Sequence, residues 1–286
     1  MSGFVEIVEV GPRDGLQNEP GFVPTEEKLR FISALSDVGF RRIEVASFVS
    51  PKWVPQMADA VEVMAGLQAF KGPKWMALVP NMTGFEKARA ASVPQIAVFL
   101  SATEGFSQKN LNCSVAESLE RARPVISAAR DAGMSVRGYV SCVTDCPYEG
   151  RVAPSSVAGV VERLSALGVD EIALGETLGK GRPEQVGNML HQVCGVYDVE
   201  NLAGHFHDTE GHALQNISVS LDAGVRIFDA SAGGLGGCPY APGAAGNVAT
   251  EAVNTHLETL GFVTGLDAAA MTTAARLVQE IRHGNT

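Results

Sequence analysis

The stretch Phe4-Val5-Glu6-Ile7-Val8-Glu9-Val10-Gly11-Pro12-Arg13-Asp14 sets the pattern that the rest of the chain repeats. The apolar run Phe4-Val10 predicts a buried β-strand. Gly11-Pro12 ends it, so an arginine and an aspartate emerge together where the strand meets its loop. A guanidinium so placed can hold a developing oxyanion, and a carboxylate can hold a hard metal ion. The bland reading of the same two residues is a local ion pair at a turn.

Outward from this strand, further strand-like runs fall at Arg42-Ala46, Lys74-Pro80, Gln95-Ser101, Ser135-Cys142, Asp170-Gly175, Leu202-His207 and Val225-Ser231. Amphipathic helical stretches lie between them, at Thr25-Val38, Met57-Gln68, Gly84-Ala91, Val115-Ala132, Pro154-Leu167, Pro183-Val196, Gly211-Ala223 and Val248-Leu260. A last helix is expected near Asp267-Ile281. Eight β-then-α units predict an α/β fold, a closed parallel (β/α)8 TIM barrel formed as one catalytic domain over 1–286, with a short C-terminal helical extension from about residue 265. A doubly wound open sheet fits less well, since it usually has fewer strands and a glycine fingerprint at its switch point.

Active-site groups of such a barrel gather at the C-terminal ends of the strands. Asp14, Glu44, Glu176, His205, His207, Cys238 and Asn247 all fall at or just beyond those ends in this reading. His205 and His207 alternate within Leu202-Ala203-Gly204-His205-Phe206-His207-Asp208-Thr209, so a strand points both rings to one face, which is a metal-ligand geometry. Hydrogen-bonded core histidines are the alternative, and Asp208 or Glu210 could orient the rings. Asp14, His205, His207 and Asn247 together would offer oxygen and nitrogen donors with no thiolate. That set suits magnesium or manganese, although ligand type alone leaves zinc and cobalt open.

The glycine-dense run Ala232-Gly233-Gly234-Leu235-Gly236-Gly237-Cys238-Pro239-Tyr240-Ala241-Pro242-Gly243-Ala244-Ala245-Gly246-Asn247 reads as a mobile loop with one thiol at its tip. It has neither the Walker lysine nor a dinucleotide fingerprint. The chain's 22 Lys+Arg against 32 Asp+Glu give a formal net charge of -10, which disfavours nucleic acid and anionic membranes as partners. Lys52 and Lys109 are candidates by position for a cationic patch that an anionic ligand would need. Five cysteines, Cys113, Cys142, Cys146, Cys194 and Cys238, form no Cys-x-x-Cys motif, and no signal-like or membrane-length apolar run occurs. A reducing cytoplasm is the expected compartment.

These segments closely resemble the hydroxymethylglutaryl-CoA lyases, part of a larger family of metal-dependent lyases and Claisen-condensing enzymes built on a barrel. The resemblance extends through Ile43-Glu44, Ser47-Phe48-Val49-Ser50-Pro51-Lys52-Trp53-Val54-Pro55-Gln56-Met57, Lys109-Asn110-Leu111-Asn112-Cys113-Ser114, Val136-Arg137-Gly138-Tyr139-Val140-Ser141-Cys142 and Cys146-Pro147-Tyr148. It runs from about Val5 to about Gly265. It implies cleavage of 3-hydroxy-3-methylglutaryl-CoA to acetyl-CoA and acetoacetate, with magnesium or manganese on the substrate's tertiary hydroxyl and distal carboxylate. On the same resemblance Arg13 would hold the thioester oxygen, Asp14 or His205 would handle the hydroxyl proton, and Cys238 would deliver a proton from the closing loop. Glu44 and Gln17 would orient Arg13 and the metal's surroundings, and Ser47, Ala173 and Glu176 would belong to the substrate pocket. The expected partners are an acyl-CoA substrate and a second copy of the chain in a homodimer.

Five positions depart from the family's pattern. Pro20 stands where a lysine usually follows Gln-Asn-Glu, Ala46 and Ala173 stand where hydroxyls are common, Glu176 replaces an aspartate, and Glu210 stands where tyrosine or glycine is usual. They point to a reshaped pocket, with Ala173 and Glu176 facing the substrate and helping to choose it. A lyase for a related branched 3-hydroxyacyl-CoA such as citramalyl-CoA is therefore the second reading. A non-catalytic acyl-CoA-binding barrel is the third, and a condensing synthase is disfavoured because no room is left for a regulatory domain.

Overall fold

The computed structural model describes residues 3–70, 72–238 and 241–284. Eight parallel strands, β1 (Glu6–Glu9), β2 (Arg42–Ser47), β3 (Lys74–Leu78), β4 (Gln95–Ser101), β5 (Ser135–Ser141), β6 (Glu171–Glu176), β7 (Leu202–Phe206) and β8 (Ile227–Ala230), close in chain order, with β8 pairing back onto β1. The surrounding helices are α1 (Thr25–Ser36), α2 (Ala60–Gly66), α3 (Met82–Ala90), α4 (Glu104–Leu111), α5 (Val115–Asp131), α6 (Pro154–Ser165), α7 (Pro183–Val193), α8 (Ala213–Asp222) and α9 (Thr250–Thr259). Beyond them α10 (Ala268–Gly284) packs on α1 and on the turn Ala232–Gly234. The (β/α)8 barrel and its C-terminal helix are thus as expected. No helix among the described residues is long and apolar enough to cross a membrane.

Local chemistry explains where the elements begin. Ser114 caps α5 by accepting from the backbone of Glu117, whose carboxylate accepts in turn from the Ser114 N–H. Pro154 and Pro183 open α6 and α7, where a missing N–H costs nothing. Two features were not anticipated. Lys109-Leu111 is the end of an extra helix, α4, closed by Asn112 in the left-handed conformation at φ 51°. Two antiparallel hairpins also form, Asp145–Cys146 with Gly150–Arg151 and Gly237–Cys238 with Ala241–Ala245, the second inside the run read as a glycine loop. Strands of two residues are too short to leave a periodic signal.

The strand period of two sorts the barrel. On β6 the inward set is Glu171, Ala173 and Gly175, while Ile172 and Leu174 join the main core under the helices. A bulge between Glu44 and Ala46 shifts the register of β2 against β3, so that both Glu44 and Ser47 point to the barrel's interior.

Glu9 faces outward from β1 and is fully buried. Its Oε1 accepts from the N–H groups of Gly11 at 2.8 Å and Ala232 at 3.0 Å, and its Oε2 lies 2.7 Å from the Thr250 hydroxyl. Burial nevertheless pushes its carboxyl up from 4.5 to about 8, against the pull of those hydrogen bonds. Between these two values the folded chain keeps a proton that the unfolded chain has lost, so the stability due to Glu9 falls as pH rises through the window. The slope for one such group is at most about 1.4 kcal/mol per pH unit. We expect Glu9→Gln to flatten the dependence of the urea midpoint on pH between 5 and 8, whereas parallel curves for variant and parent would mean that Glu9 stays ionised throughout.

Candidate active site

Arg13 and Asp14 stand on a single helical turn, Gly11–Gly15, that follows β1 directly. The N–H groups of Arg13, Asp14 and Gly15 all point at the Val10 carbonyl, at 3.2, 2.8 and 3.3 Å, and curl the chain over the barrel mouth. Arg13 donates from Nε and Nη2 to Glu44 Oε2 at 2.8 and 2.5 Å and from Nη1 to Asp14 Oδ1 at 2.5 Å. Three of its five N–H groups are thereby engaged, and two remain for a ligand. Although burial opposes the charge, Glu44 and Asp14 hold the guanidinium well above its ordinary pKa. Against the upward push of burial, the charges of Arg13 and then His205, with the hydrogen bond from Asn247, keep the Asp14 carboxyl well below the usual carboxylate range.

His205 and His207 follow one another on the inner face of β7 and just beyond it. His205 Nδ1 lies 3.0 Å from Asp229 Oδ2, which leaves Nε2 directed at Asp14 Oδ2, 3.8 Å away. Burial opposes charge on this ring, but Asp229 and then Asp14 outweigh it and raise the pKa. Burial and the neighbouring His205 instead push His207 down to about 4, so its ring is neutral, and its Nδ1 is buried with no hydrogen-bond partner. Asp14, His205 and His207 each present one donor atom within 4.8 Å of the others. Asn247 gives its amide nitrogen to Asp14 Oδ2 at 2.9 Å, and its carbonyl oxygen is the atom left to offer a metal. One carboxylate and two imidazoles, one of them with a buried nitrogen that has no hydrogen-bond partner, fit a divalent cation.

Three residues of this arrangement were missed in the sequence. Asp229 on β8 orients His205, the role assigned as an option to Asp208 or Glu210. Asp208 instead caps α8 through the Ala213 N–H at 3.0 Å, and Glu210 is exposed. Arg137 and Tyr139 on β5 complete the interior: Arg137 Nη2 donates to Asp229 Oδ1 at 2.7 Å and Nη1 to the Tyr139 hydroxyl at 3.1 Å. Burial holds Tyr139 well above its usual pKa, so its phenol keeps its proton and donates to Glu44 Oε2 at 3.2 Å. The available signal was a charged residue inside an otherwise apolar strand, which must find a partner when buried.

A cavity of about 800 Å³ opens over these groups, with Arg13, Asp14, Gln17, Ser47, Tyr139, His205 and His207 on its wall. Lys109 and Arg121 supply cationic wall from α4 and α5, whereas Lys52 does not line it. Ala173 and Glu176 are not on the wall either, contrary to expectation. Ala173 is packed one layer below, against Tyr139, Ala97 and Ala203. Glu176 follows the outward phase of β6, where Thr144 donates to it at 3.1 Å and burial pushes its carboxyl up. Glu44 sits within β2 rather than at its end. Ala46 is core.

Cys238 belongs to the short hairpin strand, but its side chain lies outside the described residues. The base of its segment is tied down. Ala232 N–H donates to Glu9, Gly233 N–H to both Glu251 oxygens at 3.0 and 3.1 Å, and Arg282 of α10 donates to the Gly234 carbonyl at 2.9 Å. Gly233, Gly234 and Gly236 all have positive φ, at 61°, 60° and 105°.

The HMGL-like family matches residues 4–278 of this chain. Among curated proteins it is similar to the mitochondrial hydroxymethylglutaryl-CoA lyase of Bos taurus, at 52% identity over 92% of this chain and 81% of that protein. Among solved structures it is similar to the HMG-CoA lyase from Brucella melitensis, at 55% identity and a TM-score of 0.97 over 99% of this chain and 100% of that one. An HMG-CoA lyase from Acinetobacter baumannii, solved in complex with coenzyme A and 3-methylmalate, is 36% identical with a TM-score of 0.92, over 98% of this chain and 92% of that one.

The geometry predicts that His205→Ala and His207→Ala each lose most bound divalent metal while keeping the far-ultraviolet circular dichroism of the parent. Elemental analysis of the purified variants reads this directly. Full occupancy in both would remove the metal from this site.

Proposed function

The chain belongs to the HMGL-like family, and from that membership together with the site we propose that it cleaves 3-hydroxy-3-methylglutaryl-CoA to acetyl-CoA and acetoacetate. The observation that carries the reading is the sharing of one cavity wall by a partly uncommitted guanidinium, Arg13, and the cluster Asp14, His205 and His207. The coenzyme A held by the 36% identical relative supports an acyl-CoA ligand. Lys109 and Arg121 offer its phosphates positive charge in a chain of net charge -10. A divalent ion held by Asp14, His205, His207 and Asn247, magnesium or manganese on our reading, would polarise the acyl group's hydroxyl and distal carboxylate.

This chain's own residues account for the remaining needs of a retro-Claisen cleavage. The hydroxyl proton passes to Asp14 or His205, the proton acceptors that face each other across 3.8 Å. As that proton leaves, the C3 oxygen becomes a ketone, the C2–C3 bond breaks, and its electron pair enters the thioester as an enolate. The two free N–H groups of Arg13 take the enolate oxygen, and Glu44 and Asp14 keep the guanidinium from turning away. A thiol proton from Cys238 then closes the balance by converting C2 to the methyl of acetyl-CoA. Cys113, Cys142 and Cys146 are buried free thiols and Cys194 an exposed one, which suits a reducing compartment such as the cytoplasm.

Release of acetyl-CoA by purified protein tests the substrate. We expect the highest kcat/KM for 3-hydroxy-3-methylglutaryl-CoA within a panel of branched 3-hydroxyacyl-CoAs, and a preference for citramalyl-CoA would transfer the assignment to that homologue. In Cys238→Ala, kcat should fall about a hundredfold or more with little change in KM. Near-parent kcat would place the final proton donor elsewhere and leave the hairpin as a cover only.

A further inference from the structure

We propose that Arg137, which touches neither the cavity nor any metal donor, is the positioning residue that holds the two halves of the site in register. Its guanidinium is completely buried within β5. Upward on one side it fixes Asp229 at 2.7 Å, and Asp229 fixes the His205 ring at 3.0 Å. On the other side it donates to the Tyr139 hydroxyl at 3.1 Å; that hydroxyl donates to Glu44 at 3.2 Å, and Glu44 grips Arg13. The Tyr139 ring lies between the two guanidiniums, 5.0 Å from that of Arg137 and 5.7 Å from that of Arg13. Arg13 then meets Asp14, and Asp14 faces His205, so seven side chains from β1's following turn, β2, β5, β7 and β8 form one closed ring. Arg137 is itself locked from below, because its Nε lies 2.7 Å from Glu171, which Arg42 also holds at 2.9 Å.

A planar fork is required for this. A lysine would keep the charge, but its single nitrogen would have to replace two separate ones, Nη2 on Asp229 and Nη1 on Tyr139. The inference rests on the lyase reading only for its second readout.

The test measures two properties of the full-length protein: Mn2+ affinity by electron paramagnetic resonance titration, and exchange of acetyl-CoA methyl protons with solvent, which reports enolate formation at Arg13. Asp229→Asn cuts the histidine tie and should weaken Mn2+ binding tenfold or more. Tyr139→Phe cuts the arginine tie, and should slow exchange tenfold or more while leaving Mn2+ affinity within twofold. Arg137→Lys should impair both, whereas a purely structural role would lower the melting temperature and leave both within twofold in the folded protein, overturning the proposal. If Arg137→Lys does not fold, the single-tie variants decide, and an unchanged Mn2+ affinity in Asp229→Asn or an unchanged exchange rate in Tyr139→Phe overturns it. A parent protein that exchanges no acetyl-CoA protons would sink the lyase reading and leave Mn2+ affinity in Asp229→Asn and Arg137→Lys to decide this one.

Discussion

A guanidinium in the middle of a parallel barrel is tolerable only when its charge is met by opposite charge, and the interior here is organised around meeting that of Arg137. Asp229 and Glu171 supply opposite charge, and Tyr139 supplies an oxygen. Each partner is drawn into a second contact, Asp229 with His205, Glu171 with Arg42, and Tyr139 with Glu44. Removing one partner of a buried pair like this costs about 3–5 kcal/mol, since the other charge is stranded away from water. That energy holds the inner faces of β5, β6 and β8 to one arrangement and carries the same constraint up to the cavity floor. The ring stays open to chemistry only where Asp14 and His205 stand 3.8 Å apart, too far for a good hydrogen bond and suited to an ion between them.

The parts of this arrangement that were legible in the sequence are those fixed by local rules. Alternation put His205 and His207 on one face, Gly11-Pro12 marked the end of β1, and the repeat of strand and helix gave a closed barrel. The histidines' neighbour Asp229 was not legible, because the register in which β8 pairs with β7 and sets Asp229 beside His205 is a tertiary fact. Arg137 was quoted as part of a motif, yet its inward direction depends on which face of β5 turns to the interior, which its pairing with β4 and β6 fixes and a run of apolar letters does not. Helix α4 escaped for a related reason: Glu104–Leu111 carries little amphipathic pattern and is held by its neighbours α5 and β4.

Phase also decides the departures from the family pattern. Ala173 shares the inward phase with Gly175 but lies one layer deeper, and Glu176 falls on the outward phase, so neither can touch a ligand in the cavity. Their consequence has to be indirect. A hydroxyl at 173 would stand beside the Tyr139 ring among the side chains of Ala97 and Ala203 and would need a partner there. The longer acid at 176 spans to Thr144 and the backbone N–H of Lys180, joining the ends of β5 and β6 behind the cavity rather than inside it.

The segment that carries Cys238 completes the division of labour. A loop that presents a side chain to a site needs a fixed root, since a root that wanders would misplace everything beyond it. Here the root is held by three side chains from separate elements, Glu9 from β1, Glu251 from α9 and Arg282 from α10. Its glycines bend the backbone where a side chain would collide: a Cβ on Gly236 would come within 3.1 Å of both Asn247 and Gly15. Asn247 closes the segment at its far end and reaches Asp14, so the stretch of chain bearing the thiol finishes on the contacts that hold Arg13. The C-terminal helix α10, which lies outside the barrel, thus reaches the base of this segment, with Arg282 on the Gly234 carbonyl.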